Sequence, residues 1–187
     1  MTEEKLSYYI NKAADLSKQT FDKNIRIAIL GSFTLNGLAE TIQVKCAEKK
    51  IQCTTYTGSY NQYNQEILNS KSDLYKFNPD ITFLFIDARA ALKDLFHHPY
   101  SISKEERKQF VDTTIQEILN LAKKFSETTK SKLVLAKHTK NIAMTNSLIR
   151  MPVSRLALRC MLRTKFIRNS VVHSLFQNWK TCTFIRM

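Results

Sequence analysis

Glycine is almost missing from this chain of 187 residues: Gly31, Gly37 and Gly58 are all there are. That scarcity excludes the Gly-x-Gly-x-x-Gly turn of dinucleotide-binding folds and the phosphate loop of P-loop enzymes, which need clustered glycines for close backbone approach to phosphate. Cysteine occurs at 46, 53, 160 and 182, with no Cys-x-x-Cys spacing to suggest a zinc or thioredoxin-type pair. No secretory leader opens the chain, which predicts reduced thiols and a cytoplasmic location. Cys46 and Cys53 flank a helix-to-strand connection and read as small core hydrophobes rather than metal ligands. The longest apolar runs, such as Ile81–Ile86, are too short to cross a bilayer.

The acids show the sharpest absence. Residues 1–127 carry 17 Lys+Arg against 16 Asp+Glu, whereas residues 128–187 carry 12 Lys+Arg and no acid. The net charge of +13 therefore belongs to the tail and says nothing about the first part. Acids make up about one residue in eight of the first part, so chance rarely leaves sixty successive residues without one. A polycation selected for nucleic acid or an anionic membrane surface explains such a tail, and so does translation in a frame never selected for protein.

What is present ahead of the tail is an alternation. Leu6, Tyr9, Ile10, Ala13, Ala14 and Leu16 recur at helical spacing. The β-branched run Ile25–Leu30 follows, then a helical pattern from about Thr34 to Lys49, then a second strand opening at Ile51. Residues 59–77 suggest one short helix and a packed connector, ending in the turn Asn78-Pro79-Asp80. Residues 81–87 are nearly all apolar, as in a parallel strand covered on both faces. Residues 102–127 form the strongest helix, with Ser103 and Glu106 spaced as a capping box and Phe110, Ile115, Ile118, Leu119 and Ala122 as its buried stripe. Residues 131–136 make a fourth strand. Such an alternation predicts an α/β sandwich with a parallel sheet and right-handed crossovers. Beyond residue 136 no period holds, and the tail reads as irregular or partly helical.

Ligands in sheets of this kind bind beyond the carboxyl ends of the strands. Three polar loops converge there: Gly31-Ser32-Phe33-Thr34, the run from Thr57 to Asn61, and Asp87-Ala88-Arg89. Ser32, between strand and helix, is placed either as a nucleophile exposed on the turn or as the helix N-cap, and the cap is the commoner use of serine there. Thr34, Gly58, Asn61, Asp87 and Arg89 are the candidate substrate-binding residues. Gly58 is a turn glycine or part of an oxyanion site with Asn61. Asp87 is a ligand carboxylate or a structural partner of Arg89. Asp94 and His97 spell an Asp-x-x-His pair, but in a stretch that looks like a surface loop. A magnesium phosphatase of the haloacid dehalogenase type needs Asp-x-Asp where Arg89 stands, so neither metal nor cofactor is expected of this chain.

The GSFT loop, the run GSYNQYNQEI and the lead-in SDLYKFNPD resemble the N-terminal domain of FkbH-like proteins over about residues 8–136. The resemblance implies an SGNH-hydrolase-like, flavodoxin-like sandwich preceding a haloacid dehalogenase-like domain, in proteins that load glyceryl units onto an acyl carrier protein. It puts Ser32 in the place of the SGNH nucleophile, Gly58 in that of the oxyanion glycine and the Asp87 loop in that of the third sequence block. This chain departs from the pattern: Gly31 replaces an acid, Asp87-Ala88-Arg89 lacks an Asn, and no closing Asp-x-x-His follows a last strand. The expectation is an incomplete domain over residues 1–136 without catalysis of its own, with acyl carrier protein as a partner. Residues 137–187 then read as a basic tail left by a frameshift near codons 130 to 137. The rival expectations are an esterase using Ser32 with Asp94 and His97, and a binding protein whose tail holds nucleic acid or membrane.

Overall fold

The computed structural model describes residues 6–16, 19–137 and 184–186. Five strands, β1 (Lys23–Gly31), β2 (Ile51–Thr57), β3 (Ile81–Ile86), β4 (Lys132–Lys137) and β5 (Phe184–Arg186), form one sheet in the order β2-β1-β3-β4-β5. The first four are mutually parallel and β5 runs antiparallel to β4. The rest of the basic tail, 138–183 and 187, lies outside the described residues. Where 184–186 are described they are a strand, not the irregular or helical segment expected.

Strand alternation makes the sheet a two-sided core. Ile27, Ile29, Phe83 and Phe85 point to one face, against Ile42 and Cys46 of α2 (Leu38–Ala47), on which α1 (Leu6–Leu16) packs. Ala28, Leu30, Leu84 and Leu133 point to the other. They meet Ile67 of α3 (Tyr63–Leu68), Leu74 of α4 (Asp73–Phe77), and Leu121, Ala122 and Phe125 of α7 (Lys104–Thr128). Helices on both faces of a parallel sheet explain why β1 and β3 read as unbroken apolar runs.

Three boundaries differ from the sequence reading. Helix α2 begins at Leu38 rather than near Thr34, because Gly37 precedes it in the left-handed conformation, with φ of 78°. The region read as one short helix holds two, α3 and α4. The stretch read as a surface loop after β3 holds α5 (Ala88–Leu92) and α6 (Asp94–His97), pinned by the buried side chain of Leu95.

Helix α7 starts with the predicted capping box. The Ser103 N–H donates to Glu106 Oε2 at 2.8 Å and the Glu106 N–H to Ser103 Oγ at 3.2 Å, which holds the Glu106 carboxyl below its usual range. The predicted stripe needs correction. Phe110 is exposed, Ile115, Ile118 and Leu119 are half-buried, and full burial falls on Leu121, Ala122 and Phe125. At about 1.5 Å per residue these 25 residues span about 37 Å, whereas a six-residue strand spans about 20 Å. The amino-terminal half of α7 overhangs the sheet.

Candidate active site

The order β2-β1-β3 means that the chain leaves β1 to one side and returns to build β3 on the other. Connections diverge at such a switch point, opening a crevice between the carboxyl ends of β1 and β3. The residues that follow those strands, Ser32 and Asp87, are both among the candidates the sequence offered.

They are joined to each other. The Ser32 N–H donates to Phe85 O at 2.9 Å, prolonging the ladder, and the Asp87 N–H donates to Ser32 Oγ at 2.8 Å. Ser32 is only 3 % exposed. Its hydroxyl therefore closes the floor of the crevice, fastening the end of β1 to the end of β3. This corrects the preferred cap reading: the N-cap of α2 is Gly37, and Ser32 caps no part of that helix. A Cβ on the neighbouring Gly31 would lie 2.7 Å from Leu35 Cδ1, the movable end of a side chain, and 3.3 Å from the carbonyl oxygen of Phe85, so a larger residue there needs small shifts of both.

Asp87 is the N-cap of α5. Its Oδ1 accepts from the Arg89 N–H at 2.8 Å and from Arg89 Nε at 3.1 Å, while Oδ2 accepts from Arg89 Nη2 at 3.0 Å. Fork-to-carboxylate geometry fixes both side chains, although the guanidinium is largely exposed and the pair adds little stability. Both residues thus have structural partners, and the Arg89 side chain is presented to solvent at the rim. Phe33 stands edge-on to Phe85, with centroids 6.4 Å apart, on the α2 side.

The second loop contributes less than an oxyanion site requires. The Gly58 N–H donates to Ile29 O at 2.9 Å and the Asn61 N–H to Gly31 O at 3.1 Å, so both are consumed in prolonging the β1–β2 pairing. Asn61 adopts a left-handed conformation with φ of 55°. That turn leaves its side chain and that of Tyr60 exposed at the rim, where Thr34 is exposed as well. Tyr60, 68 % exposed, is the loop's most prominent aromatic.

Asp94 and His97 fall within α6, and neither side chain bonds the other. His138 and His173 lie outside the described residues. Among the described residues no buried side-chain nitrogen or oxygen lacks a hydrogen-bond partner, and no three His, Cys, Asp or Glu side chains gather as a metal set. No described helix is long and apolar enough to cross a membrane. A concavity of about 510 Å³, lined by α7 residues between Glu105 and Gln116, opens on the flank of that helix. Of the residues put forward, Ser32 and Asp87 are brought together, with Arg89 on Asp87.

Comparison with known proteins agrees with the fold. The fold is similar to that of the N-terminal part of the protein BF1531 from Bacteroides fragilis, a crystal structure containing a phosphatase domain complexed with Mg. The TM-score is 0.55 and the identity 17 %, over 91 % of this chain and 43 % of that one, so this chain spans less than half of its neighbour's length. No curated protein matches the sequence. The family model for the N-terminal domain of FkbH matches residues 26–142, which include all four parallel strands except the opening residues of β1, and every candidate residue named above. The chain belongs to the FkbH N-terminal domain family.

Proposed function

We propose that this domain binds and positions rather than hydrolyses, serving an FkbH-type protein that loads glyceryl units onto an acyl carrier protein, with the transfer and phosphate chemistry carried by a haloacid dehalogenase-like partner domain. One observation supports a non-catalytic Ser32 above the others: its hydroxyl is buried and accepts the Asp87 N–H. A serine nucleophile needs a base to take its proton and free donors to receive the oxyanion. Here Asp94 and His97 do not bond to each other, and the Gly58 and Asn61 N–H groups are already spent on β1. The exposed rim of Thr34, Tyr60, Asn61 and Arg89 is suited to holding a polar group, such as a hydroxylated acyl chain, by hydrogen bonds.

The test has two arms. The purified chain is treated with a fluorophosphonate and its intact mass compared with that of Ser32→Ala. The reading expects no adduct that depends on Ser32; such an adduct would make Ser32 a nucleophile and end the proposal. Calorimetric titration with glyceryl-loaded acyl carrier protein is expected to show binding weakened by Asn61→Ala and Arg89→Ala. Equal binding by both variants removes the rim from the account.

A further inference from the structure

Strand β2 borders the sheet, and among the described residues no strand pairs with its outer side. Border strands are ordinarily defended by a lysine, a proline, a bulge or extreme shortness. β2 has none of these. Its seven residues read Ile-Gln-Cys-Thr-Thr-Tyr-Thr, and no charge occurs from Ile51 to Gln65. Its register against β1 runs without a bulge from Lys23↔Ile51 to Ile29↔Thr57.

The ladder also tells which backbone groups face outward. The Gly58 N–H points to β1, so by alternation those of Gln52, Thr54 and Tyr56 do too, and those of Ile51, Cys53, Thr55 and Thr57 point away from the sheet. The strand is already ordered, since Gln43 of α2 donates to Thr55 Oγ1 at 2.9 Å and Tyr56 donates to Glu66 of α3 at 2.8 Å. Pairing it therefore costs little further conformational entropy.

We propose that β2 pairs antiparallel with β2 of a second copy of this chain, about a two-fold axis at Thr54, joining two sheets into one. Full overlap of the seven residues sets Thr54 opposite Thr54, Cys53 opposite Thr55, Gln52 opposite Tyr56 and Ile51 opposite Thr57. The outward groups then exchange hydrogen bonds at Cys53–Thr55 and Ile51–Thr57. Thr54–Thr54 is the close, non-hydrogen-bonded pair, with Cα atoms about 4.5 Å apart. A second copy fits better than a foreign strand because the segment is neutral, so nothing repels its own image. The two-fold arrangement also closes, consuming both edges without leading to fibres.

The experiment uses the full chain with Cys53, Cys160 and Cys182 replaced by serine, keeping the fully buried Cys46. Light scattering is expected to give a dimer mass. Under mild oxidation Thr54→Cys should become a covalent dimer in most of the material, because its Cα separation lies within disulfide range. Gln52→Cys, opposite Tyr56, should not. Thr54→Asp should weaken dimerisation by about fivefold or more, like charges then facing each other across the strands. A monomer at every concentration overturns the proposal. So does an open series of oligomers, a dimer in which Thr54→Cys stays uncrosslinked, or crosslinking of Gln52→Cys to the same extent.

Discussion

In a Ser32→Ala variant the Asp87 N–H loses the acceptor that lies 2.8 Å away, in a position only 3 % exposed at the serine. A neutral hydrogen bond contributes about 1 kcal/mol net, and leaving one buried partner unsatisfied raises the cost to about 1–3 kcal/mol. Asp87 is half-buried, so water can reach part of the site, and about 1.5 kcal/mol is the expected loss. With a urea slope of about 2 kcal/mol per molar, the midpoint followed by far-ultraviolet circular dichroism should fall by about 0.7 M at unchanged slope. A serine whose role were only chemical would show no such loss. The cause is isolated by Asp87→Pro, which the backbone at φ of −77° accommodates and which removes the N–H while setting Cδ against the hydroxyl. In that background Ser32→Ala should become neutral or favourable. A midpoint for Ser32→Ala within about 0.15 M of wild type, or an equal loss in both backgrounds, refutes the reasoning.

Gly37→Ala should destabilise by about 1–2 kcal/mol, from left-handed strain together with contact against Leu6 Cδ1 of α1, 2.2 Å from the added Cβ. Adding Leu6→Ala should recover only the contact part, and full recovery in a thermal melt would show that the φ of 78° costs nothing. A further expectation concerns alkaline stability. The Tyr56 hydroxyl is pushed above the usual phenol range, first by burial and then by its bond to the Glu66 carboxylate, while burial raises Tyr63 and Tyr75. Folded-state values above the unfolded ones mean that this stabilisation is complete below about pH 10 and is lost as pH rises beyond it. Urea midpoints should therefore fall on the alkaline side, less steeply in Tyr56→Phe; parallel profiles for the two proteins would rule Tyr56 out as a source.

Strands β1 and β3 were legible because strands covered on both faces must be apolar, whereas β2 was legible from its β-branched and aromatic residues between a helix and a glycine turn. The capping box of α7 was legible because its two partners lie three residues apart. The Ser32–Asp87 bond was not, because it joins residues 55 apart through a backbone N–H, a group that every non-proline residue carries. The start of α2 was missed because Leu35, Leu38, Ala39 and Ile42 recur at helical spacing, while the backbone at Gly37 turns left-handed before the helix can begin. Phe110 misled because helical periodicity marks a face without showing how much of the helix the sheet is long enough to cover. The near balance of charge in residues 1–127 said little about function, and the border position of β2 came only from the strand order, which no local sequence signal carries.

The overhang of α7 divides one helix into two regimes of motion. Its last turns, anchored by Leu121, Ala122 and Phe125, can release their amide protons to exchange only when the sheet itself comes apart. Its first turns bury no side chain fully and are tied instead by the Ser103 cap and by Arg107, whose Nη1 donates to Pro99 O at 2.8 Å and to Ile102 O at 2.9 Å, so they open more readily than the last turns. In a parallel α/β layer a crossover helix starts at the carboxyl edge of the sheet, the same edge at which the crevice between β1 and β3 opens. One edge of the sheet thus carries both a helix end that can open locally and a crevice floor that Ser32 holds closed.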